Sequence, residues 1–249
     1  MDVERWIAYF GRNRSNRPEP DWRAPIVLAP EVVPPLVRSL EQFRLGDGGG
    51  PASLIAWNAE SFRSSTASTR TAVDLWFAEE REHARLLGAA VARFGGRRIE
   101  SHWSFRVFCL LRRWLGVRFE LTILLLTEIV STAYYRVMRR HARDEPLRAM
   151  CRLILRDEAG HLAFHRDRLA GAARAGRVRH GRPWEVRFRA LGLAAATMLW
   201  LNHAPALRAL GASAAEYYGD VWLELTRFIR SLRLGRARSG SRVGFAEAA

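Results

Sequence analysis

Two short patterns constrain this chain more than anything else in it: Glu80-x-x-His83 and Glu158-x-x-His161. On a helix, positions three apart face the same way, so each pair offers one carboxylate and one imidazole to the same point. One such pair among 25 acidic residues and 7 histidines carries little weight. Two pairs carry far more, because each falls in the middle of an apolar line at helical spacing. The first line reads Val73, Trp76, Glu80, His83, Leu87, Phe94, and the second Leu147, Cys151, Ile154, Glu158, His161, His165, Leu169. Charged groups on a core-facing line are costly unless they pair or bind a cation. No arginine sits on the facing lines to neutralise them, which points to metal.

Apolar residues recur every three and four positions along most of the chain, and strand-like alternation is scarce, so an all-α fold is expected. Residues 1–35, with prolines at 18, 20, 25, 30, 34 and 35, read as an irregular N-terminal segment. Helical patterns cover 36–64, 70–94 (stopped by Gly95-Gly96), 105–141 and, after Asp144 as N-cap with Pro146 in the first turn, the stretch up to 173. Four long helices with short connections predict an antiparallel bundle over 36–173. Patterns over 184–202 and 213–232 predict extra C-terminal helices, packed on the bundle within a 174–249 segment that ends in a basic tail.

A bundle site of this kind needs a carboxylate from each of the other two helices. Glu128 lies in the line Leu121, Leu125, Glu128, Thr132, Tyr135. The 30-residue separation of Glu128 from Glu158 has its midpoint at Arg143, beside the expected turn, which brings the two to one height. On the first helix the line is Leu36, Leu40, Phe43, Asp47, Gly50, Leu54, Trp57, which selects Asp47, 33 residues before Glu80. Gly48-Gly49-Gly50-Pro51 weaken a helix there, and Glu60 is the alternative. Asp157 is placed to accept a hydrogen bond from a metal-binding imidazole, or else to form an ordinary salt bridge. His165, one turn beyond His161, suits an additional ligand, a proton relay or a core-edge histidine bonded to a carbonyl.

Ala78–Leu87 and Arg156–His165, together with Thr127–Tyr135, resemble the metal-binding helices of the ferritin-like di-iron carboxylate superfamily. Rubrerythrins, the ribonucleotide reductase small subunit, acyl-carrier desaturases and bacterial N-oxygenases belong to it. The resemblance covers about residues 36 to 170. It implies two Fe ions, or Mn, held by Glu80, His83, Glu128, Glu158 and His161. The superfamily usually has glutamate on the first helix, although aspartate occurs in the reductase branch. The glycine-rich run after Asp47 departs from the common pattern.

Such a centre implies an oxidoreductase that uses O2 or peroxide to oxidise a small, largely apolar substrate, with Trp57, Trp76, Phe77 and Phe164 as candidate lining. No G-x-G-x-x-G, Walker or Ser-centred nucleophile pattern is present, so a separate electron donor is expected. The alternatives are a ferroxidase or iron-handling protein, and a non-catalytic bundle acting through its basic surface on RNA, an anionic membrane or an acidic partner. The net charge is +15, and all 40 basic residues are arginine. Because those arginines are spread along the chain, a compositional bias is favoured over nucleic-acid or membrane binding. The segment Trp222 to Arg238 suits a membrane surface by its interleaved arginines, but docking on its own bundle or in a homodimer is favoured. Two cysteines, no apolar N-terminal run and no apolar stretch of about 20 residues predict a soluble, cytoplasmic protein.

Overall fold

The computed structural model describes residues 1–48, 53–63, 65–178 and 180–243, whose regular secondary structure is all helical, with no strand among them. The helices are α1 (Val3–Ser15), α2 (Val33–Gly48), α3 (Glu60–Arg63), α4 (Ala67–Arg93), α5 (Trp103–Trp114), α6 (Val117–His141), α7 (Glu145–Arg174), α8 (Arg182–Ala209) and α9 (Ala214–Val243). The all-α expectation is met.

Three boundaries differ from expectation. The N-terminal segment is not irregular throughout: Asp2 caps α1 by accepting from Arg5 N, and Trp6 and Phe10 bury one face of that helix. The first expected long helix stops at Gly48, and only the short α3 follows beyond residues 49–52, which lie outside the described part. The third breaks at 115–116. There Glu120, buried in the first turn of α6, draws α5 back by accepting from Arg112 Nε at 3.0 Å, and also accepts from Ile55 N at 2.8 Å and Ala56 N at 2.9 Å. One carboxylate thus ties together α5, α6 and the strand of chain between α2 and α3.

Helix α7 begins as the sequence predicts, with the Asp144 side chain accepting from Leu147 N at 3.2 Å and Pro146 in the first turn. Asp144 does a second job, because Arg93 Nη2 at the end of α4 reaches its Oδ2 at 2.7 Å, with both groups almost wholly buried. Arg93 also donates to the carbonyls of Trp22 and Ala24, which pins the turn at 22–24 against the α4–α7 end.

Helix α2 packs against α4, α4 against α7, and α6 against α7, with α8 and α9 lying on α2, α6 and α7. The main core runs through all of these, and Leu225, Phe228, Ile229 and Leu232 of α9 are buried in it. That face of α9 therefore covers the protein's own helices. Helix α6 has the length and hydropathy of a membrane span, which the sequence reading did not credit, and 67% of that stretch is buried by its neighbours. Cys109 and Cys151 are free thiols.

A smaller, aromatic core gathers Trp6, Phe10, Trp76, Phe77, Leu124 and Phe164. Along α4, Trp76 and Phe77 belong to this aromatic core and Leu86 and Leu87 to the main one. Along α7, Phe164 belongs to the first and Ile154 to the second. The polar residues Glu80, His83, Glu158 and His161 fall in the interval between.

Candidate metal centre

Four helices deliver the site. Asp47 comes from the last turn of α2, Glu80 and His83 from α4, Glu128 from α6, and Glu158 and His161 from α7. Ligand-type atoms of Asp47, Glu80 and His83 all lie within 4.8 Å of one another, and so do those of Glu80, Glu128 and His161. The two groups share Glu80. Glu158 closes the second group, its Oε2 lying 3.8 Å from His161 Nδ1. All six residues singled out from spacing are therefore brought together. Glu60, the alternative on the first helix, opens α3 and stands in neither group.

Gly48, directly after Asp47, favours the site. A Cβ added at Gly48 would come within 2.5 Å of the Ala84 Cβ, so the absent side chain is what lets the end of α2 lie against α4. Ala84 follows His83 directly, which explains why Asp47 arrives beside His83 and Glu80.

Both imidazoles turn Nδ1 inward and Nε2 outward. His161 Nδ1 lies 3.0 Å from Glu80 Oε1, 3.1 Å from Glu128 Oε2 and 3.8 Å from Glu158 Oε2. A single ring nitrogen cannot satisfy three carboxylates by hydrogen bonding. His83 Nδ1 lies 3.6 Å from Glu80 Oε2. His83 Nδ1, Glu80 Oε1 and Glu158 Oε2 are buried without a hydrogen-bond partner. Orphaned ligand atoms of both kinds thus face one another in the interior, which fits a bound cation.

The outward nitrogens are held by acids from the opposite helix. His83 Nε2 donates to Asp157 Oδ2 at 3.1 Å, and His161 Nε2 donates to Glu79 Oε2 at 2.9 Å. Sequence reasoning offered Asp157 this role or an ordinary salt bridge, and missed Glu79. The signal was present, because Glu79-Glu80-x-x-His83 repeats the order of Asp157-Glu158-x-x-His161. Helix α1 then locks both acids: Asn13 Nδ2 donates to Glu79 Oε1 and Asp157 Oδ1, each at 2.7 Å. Just beyond the end of α1, Arg17 Nη2 lies 2.7 Å from Asp157 and 3.5 Å from Glu79. On the other side Trp76 Nε1 donates to Glu128 Oε1 at 3.1 Å.

Burial and the facing charges shift the titration of this cluster in opposite directions. Burial alone would raise the Glu80 carboxyl, but the charge of His161 beside it, together with that of His83, holds it below the usual carboxylate range. Burial opposes charging His83 and His161, yet the facing carboxylates raise both well above the ordinary 6.5. For His83 the partners are Asp157 and Glu80, and for His161 chiefly Glu128 and Glu80. Burial, aided by the charge of Glu80, pushes Asp47 up, and burial with Glu128 pushes Glu158 up. So many carboxylates in a dry space either hold protons or require a cation.

His165 stands apart from the ligand groups. Its Nδ1 accepts from Arg168 Nη2 at 3.1 Å, its ring meets Trp76 edge-on at 4.9 Å, and burial with Arg168 holds it well below its ordinary value. It is a neutral core histidine. Of the expected apolar lining, Trp76, Phe77 and Phe164 are buried beside the site. Trp57 is 74% exposed, because the first helix ends before reaching it.

No protein-family model, no curated protein and no solved structure matches the chain.

Proposed function

We propose that this chain is a ferritin-like di-metal carboxylate protein and an oxidoreductase acting on a small, largely apolar substrate with O2 or peroxide. The observation that carries the reading is the convergence of Glu80, Glu128 and Glu158 on the single nitrogen His161 Nδ1, with orphaned oxygens and, among the described residues, no arginine paired with any of the three. Asp47, Glu80 and His83 would hold one ion, and Glu128 and His161, with Glu80 or the neighbouring Glu158, the other. Oxygen and imidazole donors in this proportion suit Fe or Mn. Two Fe(II) ions bound there would supply electrons and open positions for reduction of O2 or peroxide.

The protein's own part is preorganisation. Asp157 and Glu79 fix the tautomer and plane of each imidazole, and Asn13 and Arg17 fix those acids. Trp76 steadies Glu128, and the aromatic core around Phe10, Trp76 and Phe164 excludes water from one side. Electrons for repeated turnover would come from a separate donor.

The test is O2 uptake by protein loaded anaerobically with Fe(II) and supplied with an external reductant. Repeated turnover that scales with protein and disappears in Glu128→Ala supports the reading. Uptake that ends once the added Fe(II) is oxidised indicates an iron-handling protein instead, and no uptake at all overturns the proposal.

A further inference from the structure

The α6–α7 hairpin carries a second charged feature, independent of the candidate metal centre. Arg136, Arg139 and Arg140 of α6 and Arg148 and Arg152 of α7 line a cleft of about 460 Å3. Their spacings of three and four residues put each set on one face of its helix, and the short turn at 142–144 sets those faces side by side.

The protein only partly neutralises these guanidinium groups. Glu145, 60% exposed, is shared between Arg148 at 3.6 Å and Arg152 at 2.6 Å. Arg140 meets Asp220 at 3.1 Å and Glu216 at 3.5 Å, although Glu216 also serves His141. Arg136 Nη1 lies 2.9 Å from Glu224, which Arg227 shares, yet it is buried and makes no hydrogen bond. Arg139 is exposed and has no carboxylate partner among the described residues. Exposed pairs of this kind are worth little and yield readily to a better acceptor.

Guanidinium forks match phosphoryl oxygens in shape and charge. The cleft has the volume of a small-molecule site. Glu216, Asp220 and Glu224 of α9 border it, and they would repel an extended polyanion laid across that edge. We propose that the arginine cleft binds a small anion carrying at least two phosphoryl groups, of the size of a nucleoside di- or triphosphate.

The experiment is calorimetric titration of the full chain with inorganic triphosphate, ATP and inorganic phosphate at physiological ionic strength. One site per chain is expected, with triphosphate and ATP at least about tenfold tighter than phosphate. Arg139→Gln with Arg148→Gln should weaken both by about tenfold or more. Arg12→Gln with Arg187→Gln, which removes the same charge from exposed sites elsewhere, should change them by less than about twofold. Equal losses in the two double variants, or no binding, would overturn the proposal. So would binding of a single-stranded oligonucleotide or of phosphatidylserine vesicles that triphosphate does not displace.

Discussion

His83 on α4 and Asp157 on α7 meet across the helix interface at 3.1 Å, and His161 on α7 and Glu79 on α4 return the same contact at 2.9 Å. Each helix therefore contributes one imidazole to the centre and one acid to steady the other helix's imidazole. Asp157→Asn or Glu79→Gln keeps the shape and removes the charge. Each should leave the helical content unchanged and weaken metal binding by about 10–100-fold, read by competition with a chromogenic chelator. Affinity unchanged in both variants would show that these acids only cross-link the helices.

Protons and a bound metal would compete for the same atoms. His83 and His161 are raised in the folded protein, so the stability they add to chelator-treated protein is complete below their ordinary 6.5 and is lost as pH rises through the raised values. The thermal midpoint of such protein should fall as pH rises above the ordinary imidazole value. Protein loaded with metal should not show this fall, and loading should release protons detectable with an indicator dye. Loading without proton release contradicts the electrostatic picture of the centre.

Gly160 lies between the two α7 ligands, and a Cβ there would overlap the Tyr9 side chain of α1. Gly160→Ala should cost about 1–3 kcal/mol by forcing the helices apart. It should also weaken metal binding, because Asn13 leaves with α1. Differential scanning calorimetry and chelator competition check the two effects. A loss of stability with metal affinity intact would show that α1 is only a cover.

A second buried polar group ties α8 to the rest. Ser39 Oγ of α2 contacts the Tyr134 hydroxyl of α6 and lies 2.8 Å from His203 Nδ1 of α8. Burial, with a smaller effect from His102, lowers His203 to about 3. The unfolded chain binds a proton there near 6.5, so stability should fall as pH drops below that value, by about 1.4 kcal/mol per pH unit from this group. His203→Gln should flatten the acid limb of a denaturation series, and an unchanged limb would remove His203 from the account.

The meeting of these side chains was legible because groups that share an inward line are forced onto helical periodicity. Glu128 and Glu158 could be matched through the turn at Asp144, since two antiparallel helices fix equal heights by residue count alone. Glu79 escaped because an adjacent acid points about 100° away from the ligand line, and its partner belongs to another helix. Helix α1 escaped because the prolines beginning at 18 coloured the whole N-terminus, although Asp2, Trp6 and Phe10 are spaced as a capped helix. Trp57 was misplaced by extending the first helical phase past Gly48. The arginine cleft gave no sign, since its five arginines do not stand out among 40 spread along the chain.

The most direct test of the central claim is metal content by elemental analysis. The protein, purified without tags, should be compared with a Glu80→Ala, Glu158→Ala double variant whose folding is confirmed by circular dichroism. About two Fe or Mn ions per chain, absent from the folded variant, is the result the account predicts. No metal in either protein after anaerobic loading with Fe(II), or equal metal in both, would contradict it.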